Sequence, residues 1–99
     1  MIRHIVMFRL KADTDAAKAI SGARARLSEF QKEIPSLRRL TVAVNAPDAP
    51  QSNCEIALIC DFDDINGLEE YRVHPVHVAF GQYITPLRES RSCIDYELD

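Results

Sequence analysis

The chain has 99 residues, 46% of them apolar, with twelve basic and fifteen acidic side chains and a formal net charge of -3. That length supports one compact domain, 1–99, which buries roughly two thirds of the surface its unfolded chain exposes, and it leaves no room for a second. Because both signs of charge are mixed along the chain, there is no extended cationic surface for a phosphate backbone, and nucleic acid is not an expected partner.

The opening MIRHIVMFRL is apolar but short, is interrupted by Arg3, His4 and Arg9, and lacks a small-residue cleavage pattern, so it does not read as a secretory signal. It reads as a strand. Ile2, Val6, Phe8 and Leu10 share one face at period two, and Ile5 and Met7 lie on the other. From Ala16 the apolar positions run Ala16, Ile20, Ala23, Leu27, Phe30 and Ile34, the stripe of one amphipathic helix. Asp13 or Asp15 caps its start and Pro35 ends it.

Leu40, Val42 and Val44 alternate as a second strand, and NAPDAPQSN from Asn45 to Asn53 has the composition of a connecting loop. Ile56, Leu58, Cys60 and Phe62 line one side of a third strand, with Ala57 and Ile59 on the other. Asp63 or Asp64 then caps a short helical turn bearing Ile65, Leu68 and Tyr71. A further helix starts at Pro75, a residue suited to the first helical position, carries Val76, Phe80, Tyr83 and Ile84 inward, and stops at Pro86. In the tail SRSCIDYELD, Ile94, Tyr96 and Leu98 alternate with Cys93, Asp95 and Glu97 as a last strand.

The order β-α-β-β-α-β is the ferredoxin-like split unit, an α+β fold with both helical segments on one face of a four-stranded antiparallel sheet. Ile2, Val6, Phe8, Ile56, Leu58 and Phe62 are expected beneath the helices. The other face would show Ile5, Met7, Ala43, Ala57, Ile59 and Cys93, a patch too continuous for a monomer to leave in water. A homodimer closed sheet against sheet is the expectation. A bulge that swaps faces, or a tail that covers the second surface, would remove the need for it.

No run is long enough to cross a bilayer. The three cysteines, Cys54, Cys60 and Cys93, are odd in number and lack CxxC spacing, which points to free thiols and a cytoplasmic protein. The chain has no glycine-rich phosphate loop, no GxSxG and no HExxH. RNA-binding domains share the element order, but the aromatic and glycine pattern of their sheet is missing.

The chemistry concentrates in YRVHPVHVAF, Tyr71 to Phe80. His74 and His77 are three apart, as in many zinc sites, but a residue before proline is pushed out of the α region, which removes the shared face that spacing would provide. His74 then sits at the helix N-cap, no obvious cysteine or carboxylate set completes a shell, and neither metal nor cofactor is expected. His77 falls in the first turn, where free amides, the helix dipole and neighbouring apolar residues all disfavour imidazolium. A neutral imidazole is a competent general base. Tyr71 could donate a hydrogen bond to a carbonyl that becomes an enolate, and His4 on the first strand could join them in an apolar pocket. Each has a structural alternative: His4 as a core histidine, Tyr71 as an aromatic plug, His77 as a packing residue.

The opening RHIVMFRLK, the EIPSL that ends the first helix, FDD, the HPxHxxF core formed by His74, Pro75, His77 and Phe80, and the closing IDY together resemble the stress-responsive A/B barrel family of dimeric α+β barrel proteins. The resemblance implies a ferredoxin-like protomer that dimerises through its sheet. In a plant polyketide cyclase of that family, the last histidine of the motif is regarded as the base and the tyrosine opening it as its partner. By motif position these are His77 and Tyr71, with His4 matching the first-strand histidine of the pocket.

The expected function is binding of a small apolar carbonyl compound, with cyclisation or isomerisation by proton abstraction next to the carbonyl, His77 as base, Tyr71 as donor and His4 orienting the substrate. The competing expectation is a noncatalytic stress-related or ligand-carrier homodimer. A third is cofactor-free oxygenation, as in other dimeric α+β barrel proteins.

Overall fold

The computed structural model describes residues 1–98; Asp99, the end of the tail read as a strand, lies outside the described residues. Strand β1 (Ile2–Leu10) is followed by helices α1 (Ala16–Leu27) and α2 (Phe30–Glu33), then β2 (Arg39–Val44) and β3 (Ile56–Phe62). Helices α3 (Ile65–Val73) and α4 (Pro75–Ile84) lead to β4 (Arg88–Glu97). The sheet order is β2-β3-β1-β4, every neighbouring pair antiparallel, which is the ferredoxin-like arrangement.

Local chemistry fixes the helix ends. Asp15 accepts from the Lys18 amide at 3.2 Å and caps α1, and Asp64 accepts from the Gly67 amide at 2.9 Å and caps α3. The helix expected to run unbroken from Ala16 to Ile34 is interrupted at Ser28 and Glu29. There the Ser28 hydroxyl bonds the Ala25 carbonyl at 2.7 Å and the Glu29 amide reaches the Arg26 carbonyl at 3.2 Å. The apolar stripe survives the break, because Phe30 and Ile34 are still buried. Asp64→Ala should cost about 1 kcal/mol through the lost cap. Urea unfolding with an unchanged slope is the check.

The helical layer covers β1 and β3. Ile2, Val6, Phe8, Ile56, Leu58 and Phe62 are all buried beneath it, joined by Leu27, Phe30, Leu68, Phe80 and Ile84 from the helices. Ile5, Met7, Ala57, Ile59 and Ala43 lie on the opposite face, by parity with the buried positions of their strands.

Cys93 does not join that open face. The β1–β4 register places Cys93 opposite Val6 and Asp95 opposite His4, so both share the helix side, and Ile94 and Tyr96 occupy the open side instead, opposite Ile5 and Arg3. Alternation alone separates the two sets of β4 residues without saying which set points inward. The apolar set of this edge strand points away from the helices, leaving Ile94 59% and Tyr96 38% exposed. At one end of the open face Arg3 clamps the buried Asp61 carboxylate through Nε and Nη2 at 2.8 and 3.0 Å. That pairing holds the Asp61 carboxyl below its ordinary range.

Candidate active site

Four elements converge at the β4 side of the helical layer. The α3–α4 corner brings Tyr71 and His77, β1 supplies His4, and β4 supplies Arg91, Cys93 and Asp95. The corner is made by His74 and Pro75. His74 has φ -65° and ψ 137°, outside the helical region as a residue before proline must be, and its Nδ1 accepts from the Val76 amide at 3.1 Å. That imidazole is committed to capping α4 and does not line the cavity holding the other two.

His77, half-buried in the first turn of α4, sets its Nδ1 3.0 Å from the Arg72 carbonyl at the end of α3. A carbonyl oxygen only accepts, so Nδ1 carries the proton and Nε2 carries the lone pair. Burial pushes the His77 pKa down; the Arg72 carbonyl opposes the shift in part, while the charges of His4, Arg91 and Arg72 reinforce it. The result is a neutral ring at pH 7 whose tautomer is set by the backbone.

Tyr71 is buried among rings. Its centroid lies 4.3 Å from that of His77, 5.1 Å from Phe62, 5.9 Å from His4 and 6.0 Å from Phe30. Burial drives its pKa up, so it remains a phenol. Cys60, pushed up to about 12 chiefly by burial, remains a thiol 3.9 Å from the phenol oxygen. With Cys60 donating to that oxygen, the phenolic O–H is left to donate elsewhere.

His4 is buried and holds Asp95 Oδ1 2.5 Å from its Nδ1, with Cys93 Sγ 3.4 Å from the same nitrogen. No local sequence signal marks Asp95 as a partner of His4. Pairing β1 with β4 in the observed register places it directly across from His4, and that register was the missing signal. At His4 a cysteine and a carboxylate do stand beside an imidazole, because adjacent strands join residues 89 and 91 positions apart.

His4, Tyr71 and His77 line one cavity of about 100 Å³, walled by Val6, Phe8, Leu58, Phe80 and Ile84 and bordered by Arg88 and Arg91. That is the space of about three waters, enough for a carbonyl and its neighbouring carbons. Larger hollows of about 510 and 560 Å³ lie beside Lys11 and Asp15 and beside Met7 and Ala43, and contain none of the three histidines.

Fold and site together define a ferredoxin-like α+β protein with a pocket between its helices and its edge strand. Residues 2–98 match the Stress responsive A/B Barrel Domain, and the chain belongs to that family. It is similar to a dimeric ferredoxin-like protein of unknown function from Bacteroides fragilis NCTC 9343, at 30% identity and a TM-score of 0.89, over 98% of this chain and 95% of that one. A dimeric ferredoxin-like protein of unknown function from Thermobifida fusca YX is 27% identical, with a TM-score of 0.88 over 98% of this chain and 90% of that one. A hydroxynitrile lyase from Passiflora edulis shares the fold at 19% identity and a TM-score of 0.82, covering 99% of this chain and 93% of that one. No curated protein matches.

Proposed function

We propose that the protein is a homodimer that binds a small apolar carbonyl compound and moves a proton at the carbon beside the carbonyl, as in cyclisation or isomerisation. The observation that carries this reading is the Arg72 carbonyl on His77 Nδ1, which leaves Nε2 as a neutral acceptor on a ring that lines the cavity. In the step, Nε2 takes the α-proton and the Tyr71 hydroxyl donates to the carbonyl oxygen as it gains enolate charge. His4, oriented through Nδ1 by Asp95, presents its other edge to the substrate. The imidazole and phenol suffice for that transfer, and the hydroxynitrile lyase neighbour supports the idea that such a scaffold can carry lyase chemistry.

Incubation with small ketones and 1,3-dicarbonyl compounds in D2O, followed by NMR, tests the reading. Exchange of α-protons above the buffer rate is expected for at least one compound. Binding without exchange would favour the carrier role instead.

The dimer rests on the open sheet face, where Ile5, Met7, Ile59, Ile94 and Tyr96 form one apolar surface, and on the dimeric descriptions of the Bacteroides fragilis and Thermobifida fusca relatives. Ile94→Glu would bury an unpaired carboxylate in that interface, at a cost of several kcal/mol. Light scattering should show the dimer mass fall to that of the protomer. A chain already monomeric before the substitution would contradict the interface. Among the described residues no helix is long and apolar enough to cross a membrane, and the three free thiols support a cytoplasmic setting.

A further inference from the structure

Beside the proton-transfer pair, His4, Cys93 and Asp95 gather three different donor atoms on two adjacent strands. Each ligand atom lies within 4.8 Å of the other two. The separations are 3.4 Å for Nδ1 to Sγ, 3.8 Å for Sγ to Oδ1 and 2.5 Å for Nδ1 to Oδ1. Tetrahedral zinc with ordinary bond lengths requires about 3.6 Å for the two edges that include sulfur and about 3.3 Å for the nitrogen–oxygen edge. The sulfur edges already fit to about 0.2 Å. The third must open by about 0.8 Å, a movement within reach of Asp95, whose side chain is 41% exposed.

We propose that His4, Cys93 and Asp95 form a zinc site that closes three sides of a tetrahedron and leaves the fourth open. Nitrogen, thiolate and carboxylate donors together suit zinc, whereas magnesium and calcium select oxygen. A neutral imidazole, its remaining proton moved from Nδ1 to Nε2 so that Nδ1 can bind, a thiolate and a carboxylate balance the ion's two charges, the thiol proton leaving to solvent as the metal binds. Arg91, two residues before Cys93 on the same side of β4, opposes a cation, and the two negative ligands outweigh it. The antiparallel register sets the spacing: His4 faces Asp95 directly, and Cys93 is one helix-side position away. A water would complete the fourth position.

The test is titration of the chelator-stripped, full-length protein with Co(II), followed by displacement with Zn(II). One Co(II) per chain is expected, with thiolate-to-metal charge transfer and intense tetrahedral visible bands that zinc abolishes. Cys93→Ser should remove the charge-transfer band, Cys54→Ser should keep it, and Asp95→Asn should weaken binding by at least roughly tenfold. His77→Gln should leave cobalt binding intact, which separates this site from the base. No charge-transfer band, or one that persists in Cys93→Ser, would overturn the proposal.

Discussion

Replacing His77 by glutamine is expected to slow α-proton exchange by roughly a hundred- to ten-thousandfold, the usual contribution of a positioned general base. Glutamine keeps a polar group near the Arg72 carbonyl and a similar volume beside Tyr71, but it has no basic nitrogen. Dimer mass and ligand affinity should therefore change little. If exchange persists at the wild-type rate, the base is elsewhere. If exchange is already at the buffer rate in the wild type and the variant only loses stability, His77 is a packing residue.

As the proposed base, the same imidazole would give the reaction a pH dependence of definite sign. Burial lowers the folded-state pKa of His77 below its ordinary 6.5, so the folded protein keeps the base neutral at pH values where an exposed histidine is already protonated. Activity should hold through pH 6.5 and fall only as the pH drops through the lowered value. Stability follows the same direction. Below 6.5 the unfolded chain binds the proton and the folded chain does not, so this contribution is complete above 6.5 and lost as pH falls through the folded value.

Phe30→Ala should destabilise the fold by about 3–5 kcal/mol, the typical cost of emptying a buried phenylalanine site. Phe30 is fully buried, and its ring meets Phe80 at 5.7 Å, Tyr71 at 6.0 Å and His77 at 6.4 Å. A domain of this size has about 5–15 kcal/mol in hand, so the loss is a large share of the total. Chemical denaturation gives the magnitude. Because Phe30 backs both Tyr71 and His77, the variant should also lose carbonyl binding at temperatures where it remains folded, whereas a loss below about 1 kcal/mol would mean that the ring is not the packing centre of the site.

Much of this arrangement is legible in the sequence because it is governed by local rules. The Pro75 ring forces His74 out of the helix, so the cap at His74 and the first-turn place of His77 follow from three adjacent residues. Asp64 likewise declares the start of α3 through a side chain that reaches the next turn. The β1–β4 register has no such local determinant. Period-two alternation in β4 separates Ile94 and Tyr96 from Cys93 and Asp95, yet either set could face the helices, and the apolar set is the one a simple burial rule sends inward. At this edge strand it turns outward instead, and the polar set reaches His4. That one strand pairing brings Asp95 to His4 and turns Cys93 to the helix side. The break at Ser28 was hidden for a different reason, since the apolar stripe continues through it in phase.

The central claim, that His77 is held as a neutral base with Nε2 free, is most directly tested by nitrogen-15 NMR of the imidazoles across a pH titration. The expected result for His77 is the Nδ1–H tautomer, with that N–H donating to the Arg72 carbonyl, and a pKa below 6.5. An Nε2–H tautomer, or a pKa at or above 6.5, would contradict it.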